Sequence, residues 1–476
     1  MTTTSTKLKV EESTGSYPIY SARWHFDDVA LPTEIIAIEW ITATFNMQAK
    51  GQRTRIALID TPVAEDHINL KDDALDTKLR FDHGVGASKA DSPAAPPSSS
   101  HGTSMAGLMV GRPNAAAMFV SEPFNLTDEG QVKTVGGARP LPFPFSGVDP
   151  TATVVPFSVS AEPTPRQMLG AIERIEDLAR SEDLKKRIDL VVIASDLSVP
   201  GQTDFPSHDY PEDWKETLTV LDKKIKALSK IVPIICAAGN SPIRPDREDK
   251  AAKKSAAEEK SAYGKRQIAY PARLASPDNG IFSVTAHNAI GQRSSYAPES
   301  SIISFSAPSS DAERTDRELI RLDPYRTTFG EDEENFFLNN SEVECLPPHA
   351  IIATDVPGQY GHNSSDFDKP KYGPPNSEGV KPETLRYADT FEDDVLSCIL
   401  EKRSHVGVYY DFSSHYCLFG GTSAATAIVG GMFALAMSTG KFKRGDSGKL
   451  KAALTDPMCP IQYSIFSDFK NNKKEA

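Results

Sequence analysis

Apolar residues fall along this chain in two recurring patterns. One is a short unbroken run closed off by polar or turn residues: Arg55–Ile59, Ala152–Phe157, Asp189–Ile193, Ile231–Cys236 and Gly280–Thr285. Runs of this length without alternation are expected of strands buried on both faces, as in a parallel sheet. The other pattern is helical spacing with charge on the opposite side, in Thr164–Leu184 and Thr217–Lys230. Thr33–Phe45, around Trp40, has helical spacing too. Strands alternating with helices of this length predict an α/β fold with a mainly parallel sheet. In such sheets, sites form beyond the carboxyl ends of strands. Asp60 and Asn240 each stand just past a predicted strand. Ala424–Met437 predicts a buried helix; its most apolar part, Ile428–Met437, falls well short of the ~20 residues that span a bilayer.

Between these elements lie stretches of different character. Residues 1–18 are polar and rich in Thr and Ser, and are expected to form a flexible tail. Ala87–Ser100 is a Ser/Pro/Ala loop, and the densely charged Ile243–Lys265 predicts an exposed helix. The stretch from Ser309 to Val406 is acidic and Pro-rich in places, with only Ile351–Val356 reading as a strand. These shifts divide the chain into a tail (1–18), a first part of one α/β domain (19–308), an acidic, partly ordered insertion (309–406) and the last part of the domain (407–476).

Composition narrows the function. An apolar fraction of 39% and a charged fraction of 25% belong to a soluble globular protein. A net charge of −13 argues against nucleic acid as a partner, because phosphate binding needs a basic face. No apolar signal region opens the chain, and no membrane association is expected. The five cysteines are scattered without a CxxC pair, which favours a reducing compartment over a disulfide framework and offers no zinc site.

Four motifs carry candidate chemistry, and each has a plainer reading. Asp60, in Ile59-Asp60-Thr61-Pro62, suits a turn as well as a catalytic acid. His101, opening His101-Gly102-Thr103-Ser104-Met105-Ala106-Gly107, is a base or a satisfied structural histidine at a helix start. Asn240, closing Ala237-Ala238-Gly239-Asn240, would by itself be a turn residue. Ser423, in Gly420-Gly421-Thr422-Ser423-Ala424-Ala425, would by itself be a helix cap. A serine at the start of a buried helix also has the positive end of the helix dipole beside it, which favours a developing oxyanion.

Taken together, in the order Asp, His, Asn, Ser, the motifs resemble the subtilisin-like serine peptidases (subtilases). The resemblance extends to His67 and Leu70 after Asp60-Thr61-Pro62-Val63, to Gly147-Val148-Asp149-Pro150-Thr151-Ala152, and to Tyr270-Pro271-Ala272, Val284 and Gln292-Arg293-Ser294-Ser295-Tyr296. It covers about 30–300 and about 350–455. It implies a three-layer α/β/α fold, a serine endopeptidase, Ser423 as nucleophile, His101 as general base, Asp60 orienting the base, and an oxyanion hole made by Asn240 and the Ser423 N–H. It also implies that a substrate strand pairs along Ala194, Ser195, Asp196, Leu197 and Ser198. Ala237, Ala238 and Gly239 would form the other wall of the primary pocket, with Ala269 as its base. Asp196 would favour a basic side chain if its carboxylate faces the pocket; a register shift of one residue turns it away.

Three positions depart from the family pattern. Pro62 stands where Gly is usual, Ala427 where a Pro lies inside the helix, and Asn69 where an acidic residue can bind calcium. No metal and no other cofactor is therefore expected. No propeptide is evident before the Asp60 strand, which suggests action in the cytoplasm on a limited set of proteins or peptides. The acidic insertion would then gate the cleft or dock a regulatory protein. Two further readings stand beside this one: maturation or macrocyclisation of a ribosomal peptide, and a peptide-binding pseudoprotease.

Overall fold

The computed structural model describes residues 53–82 (except 72 and 80), 100–112, 118–126, 132–134, 139–142, 145–197 (except 162), 210–240, 268–288, 293–310 (except 295 and 299), 351–356, 406–411 and 415–455. The predicted tail, the helices at 33–45 and 243–265 and the loop at 87–99 lie outside these residues.

The continuous apolar runs become the parallel sheet. Its strands are β1 (Arg55–Asp60), β2 (Phe81–Asp82), β6 (Thr153–Ser158), β7 (Leu190–Ile193), β8 (Ile234–Ala237), β9 (Ile281–His287) and β10 (Ile303–Pro308), arranged in the order β10-β9-β8-β7-β1-β6-β2. Every neighbouring pair is parallel. β6, β7, β8 and β9 are buried along their whole length, as strands covered on both faces must be. The Ile231–Cys236 run enters the sheet only at Ile234. The N–H groups of Ile231 and Val232 still close the preceding turn on the Leu228 carbonyl, and Pro233 has no N–H to give.

Two layers of helix cover the sheet. On one side lie α2 (Pro165–Ala179) and α3 (Lys215–Leu228). Their apolar faces meet Ala57, Ile59, Val191, Ile193 and Ile234. The start of α2 is fixed by a capping box, in which Thr164 and Gln167 satisfy each other's backbone N–H. On the other side lie α1 (His101–Val110) and α4 (Gly421–Ser438). Met105, Met109, Ile428, Met432 and Phe433 from these helices pack on Ile56, Leu58, Val192 and Phe282. α4 is apolar enough to cross a membrane by length and composition, but 89% of it is buried, so it is the core helix of the domain. This is the three-layer α/β/α arrangement that the resemblance implies. A fifth helix, α5 (Ser447–Thr455), follows.

The stretch 309–406 is not one uninterrupted excursion. Ser309 and Ser310 are buried, and β11 (Ile351–Thr354) pairs antiparallel with β13 (Tyr416–Phe419), the strand that delivers the chain to α4. A separate antiparallel sheet joins β3 (Met118–Leu126), β4 (Val132–Thr134) and β5 (Arg139–Pro142) to β12 (Val406–Asp411).

Candidate active site

β1 ends at Asp60, whose side chain is 1% exposed. Its Oδ1 accepts hydrogen bonds from the Thr61 N–H at 2.7 Å and from His101 Nδ1 at 2.7 Å. The Asp60 Oδ2 is buried and has no partner among the described residues. The start of α1 is tied directly to the turn after β1. The Gly102 N–H donates to Thr61 Oγ1 at 2.9 Å, and the Ala64 N–H donates to Thr103 Oγ1 at 3.0 Å. Gly102 permits this approach, because a Cβ there would lie 2.0 Å from the Thr61 carbonyl oxygen. Pro62 sits in this turn without disturbing the Asp60–His101 bond.

Burial of the His101 ring works to lower its pKa, but the adjacent Asp60 carboxylate and its hydrogen bond outweigh that and raise it above 6.5. The ring is 28% exposed and is braced by the edge of Phe419, at 5.3 Å between ring centroids. Phe419 is the last residue of β13, so the same strand supports His101 and leads to Ser423.

Ser423 is the third residue of α4 and is 6% exposed. The first N–H groups of a helix have no partner one turn back. The Thr422 N–H donates to Asn240 Oδ1 at 2.7 Å, and the helix's own ladder begins at the Ala424 N–H, which donates to the Gly420 carbonyl at 3.2 Å. That leaves the Ser423 N–H between them with no partner among the described residues. Asn240 is exposed at the end of β8. Its Oδ1 also accepts from the Thr422 hydroxyl at 3.0 Å, and that hydroxyl in turn accepts from the Gly239 N–H at 3.1 Å. With Oδ1 held twice, Nδ2 is the side of the amide with no partner among the described residues. It lies close above Gly421, whose φ of +73° and crowding, 2.7 Å from a built Cβ to Nδ2, require glycine.

The expected pocket residues come together in part. Ala194, Ser195 and Asp196 are half-buried beyond β7, and Leu197 is buried; Ser198 lies outside the described residues. Ala237 and Ala238 are buried, Gly239 is half-buried with φ +106°, and a Cβ on it would stand 3.0 Å from the Ala269 Cβ. The Ala269 N–H donates to the Ala238 carbonyl at 2.7 Å, which joins wall to base. Asp196 Oδ1 accepts from the Tyr270 N–H at 2.9 Å, which joins the opposite wall to the residue after the base. Burial raises the Asp196 pKa to about 6, against the pull of the Tyr270 and Leu197 N–H groups and of Arg273. Sequence reading missed Thr422, Phe419 and Ser309. A Thr before the serine, an aromatic before the glycines and a Ser after a Pro are too common to signal a role.

Asn69 does not fit a calcium site. Its Oδ1 accepts from the Tyr416 hydroxyl at 2.6 Å, its Nδ2 donates to the Arg112 carbonyl at 2.7 Å, and it carries no charge. Ala427 is buried within α4, which runs through unbroken.

A sequence profile described as the Subtilase family matches residues 51–458. The chain belongs to the subtilase family. It is a subtilisin-like serine endopeptidase by that membership. No curated protein matches it in sequence. Similar solved structures include the nisin leader peptidase NisP from Lactococcus lactis, at 13% identity and TM-score 0.44, covering 90% of this chain and 86% of that one. The epidermin leader peptide processing serine protease EpiP from Staphylococcus aureus aligns at 15% identity and TM-score 0.46, covering 91% and 74%. A lanthipeptide protease aligns at 13% identity and TM-score 0.47, covering 92% and 90%.

Proposed function

We propose that this subtilase cleaves peptide bonds through an acyl-enzyme on Ser423. His101 takes the Ser423 Oγ proton as Oγ bonds to the substrate carbonyl carbon. The Asp60 carboxylate holds the resulting imidazolium through Nδ1–H. The carbonyl oxygen, now negative, receives hydrogen bonds from Asn240 Nδ2 and the Ser423 N–H. Collapse breaks the C–N bond, and His101 returns the proton to the leaving amine. Water then repeats the sequence in reverse and frees the acid. The observation that carries this reading is the 2.7 Å bond between a buried Asp60 and His101, whose ring packs on Phe419, two residues before α4.

A basic residue is favoured in the primary pocket. The support is Asp196, which the Tyr270 N–H holds beside Ala269 at the pocket base. The acidic stretch 309–406 gates the cleft or docks a regulatory protein. The support is in its described residues: Ser310 packs on Gly420, and Ile351–Thr354 pairs with β13. We place the enzyme in a reducing compartment such as the cytoplasm, supported by Cys236 and Cys417, which are buried and outside any disulfide.

The test is labelling by a fluorophosphonate. Native protein should label, and Ser423→Ala and heat-denatured protein should not. A folded native sample that stays unlabelled would overturn the reading in favour of a peptide-binding protein.

A further inference from the structure

Behind the nucleophile turn stand two residues outside the catalytic set, Ser309 and Tyr296. Ser309 follows the last residue of β10 and is fully buried. Its N–H donates to the His287 carbonyl at 2.8 Å. The carbonyl of Ser310 accepts from the Ser294 hydroxyl at 2.8 Å and from the Tyr296 hydroxyl at 2.8 Å. The dipeptide is thus fixed to the sheet before it meets α4. Ser310 lies directly on Gly420, where a Cβ would come within 1.9 Å of its Oγ.

Ser309 Oγ is 2.7 Å from the Gly421 carbonyl oxygen. A carbonyl only accepts, so the Ser309 proton is committed to it. The single Tyr296 hydroxyl proton is shared between the Ser310 carbonyl, at 2.8 Å, and Ser309 Oγ, at 2.9 Å, so Tyr296 braces both residues of the dipeptide. The Gly421 C=O belongs to the same peptide unit as the Thr422 N–H, which goes to Asn240 Oδ1 at 2.7 Å. One rigid plane is therefore held at both ends, by Ser309 and by Asn240. It needs holding: Gly420 and Gly421 precede it, and glycine lets such a plane rotate at little steric cost.

We infer that Ser309, backed by Tyr296, is a positioning residue for the oxyanion hole. It clamps the Gly421–Thr422 peptide, and through it the directions of Asn240 Nδ2 and the Ser423 N–H. The inference rests on the reading of Ser423 and Asn240 as catalytic.

The experiment compares Ser309→Ala, Tyr296→Phe and Asn240→Ala singly, and Ser309→Ala in the Asn240→Ala background, on one peptide substrate and with the fluorophosphonate. Ser309→Ala should lower kcat roughly tenfold, less than loss of a whole donor, with KM changed less than about twofold. Tyr296→Phe should move kcat in the same direction by less. With Asn240 already replaced, Ser309→Ala should cost clearly less than in the native background, because only the Ser423 N–H then remains to be misdirected. Unchanged kcat in Ser309→Ala, in a native protein that labels, overturns this inference alone. Equal losses in both backgrounds overturn it too, since a merely structural role would multiply. A native protein that neither labels nor cleaves removes the reading beneath it. Should Ser309→Ala fail to fold, Tyr296→Phe in the two backgrounds carries the same comparison.

Discussion

Thr422 grips Asn240 twice: its N–H at 2.7 Å and its hydroxyl at 3.0 Å both reach Oδ1. An exposed amide, free to turn over in solution, is thereby held with its NH2 outward. Asn240→Ala should lower kcat about 10²–10³-fold, the size measured when such a donor is removed from subtilisin, a member of this family. Thr422→Val keeps the N–H bond and loses the hydroxyl, so it should lower kcat by less, with KM nearly unchanged. Steady-state kinetics on a peptide substrate decides; a change in KM alone would mean that Thr422 shapes the pocket and not the amide.

On the proposed mechanism, the Asp60–His101 pair should set the acid limb of the pH profile. His101 must be neutral to accept a proton, and Asp60 raises its pKa above 6.5. Activity therefore falls as pH drops through a value above 6.5. Asp60→Asn should move that limb to lower pH and lower kcat by about 10⁴. A limb that stays in place would show that another group is titrating.

Much of this arrangement was legible in the sequence, for a physical reason. Strands buried on both faces, such as β7 and β8, read as unbroken apolar runs, and the site lies where those runs stop. β10 escaped because its residues, Ile303-Ser304-Phe305-Ser306-Ala307-Pro308, alternate: this edge strand is only partly covered. Ser309 and Ser310 are buried, yet nothing apolar in their sequence marks them as core. Thr422 and Asn240 meet across 182 residues of chain, a contact that no local pattern records.

His67 titrates out of reach of ordinary pH. It is fully buried, Nε2 donates to the His415 carbonyl at 2.7 Å, and Nδ1 accepts from the Asn69 N–H at 3.1 Å. Burial lowers its pKa to about 3, with smaller effects from His415 and Lys71. Between 6.5 and about 3 the unfolded chain binds a proton that the folded chain refuses, so stability falls as pH drops through that window. The slope from this group is about 1.4 kcal/mol per pH unit. His67→Gln should flatten the curve while lowering stability at neutral pH. Urea midpoints at several pH values test it, and parallel curves would refute it.

Asp196→Asn keeps an acceptor for the Tyr270 N–H and removes the charge. Cleavage after Lys or Arg should weaken relative to cleavage after Leu or Phe. In the native enzyme the same preference should fade as pH falls through about 6, where Asp196 takes up a proton. Identical selectivity in the variant would assign Asp196 to bracing alone.

Two glycines in helices give opposite expectations. A Cβ at Gly431 would lie 2.6 Å from the Val148 Cβ, so Gly431→Ala should cost about 1–3 kcal/mol. Gly448, in α5, has nothing within 4 Å, so Gly448→Ala should add about 0.5–1 kcal/mol. Thermal unfolding of the two variants should move in opposite directions.

The central position of α4 has a consequence for how the chain is made. One face of the sheet is closed by α4, whose Ala434 carbonyl receives a hydrogen bond from Thr54, 380 residues earlier. As the chain leaves the ribosome, that apolar face must wait uncovered until α4 emerges, a long exposure that invites chaperone binding. Ser423 arrives on the same helix. No shorter nascent fragment can therefore close this core, and on the proposed mechanism the ability to cut appears only once α4 has emerged.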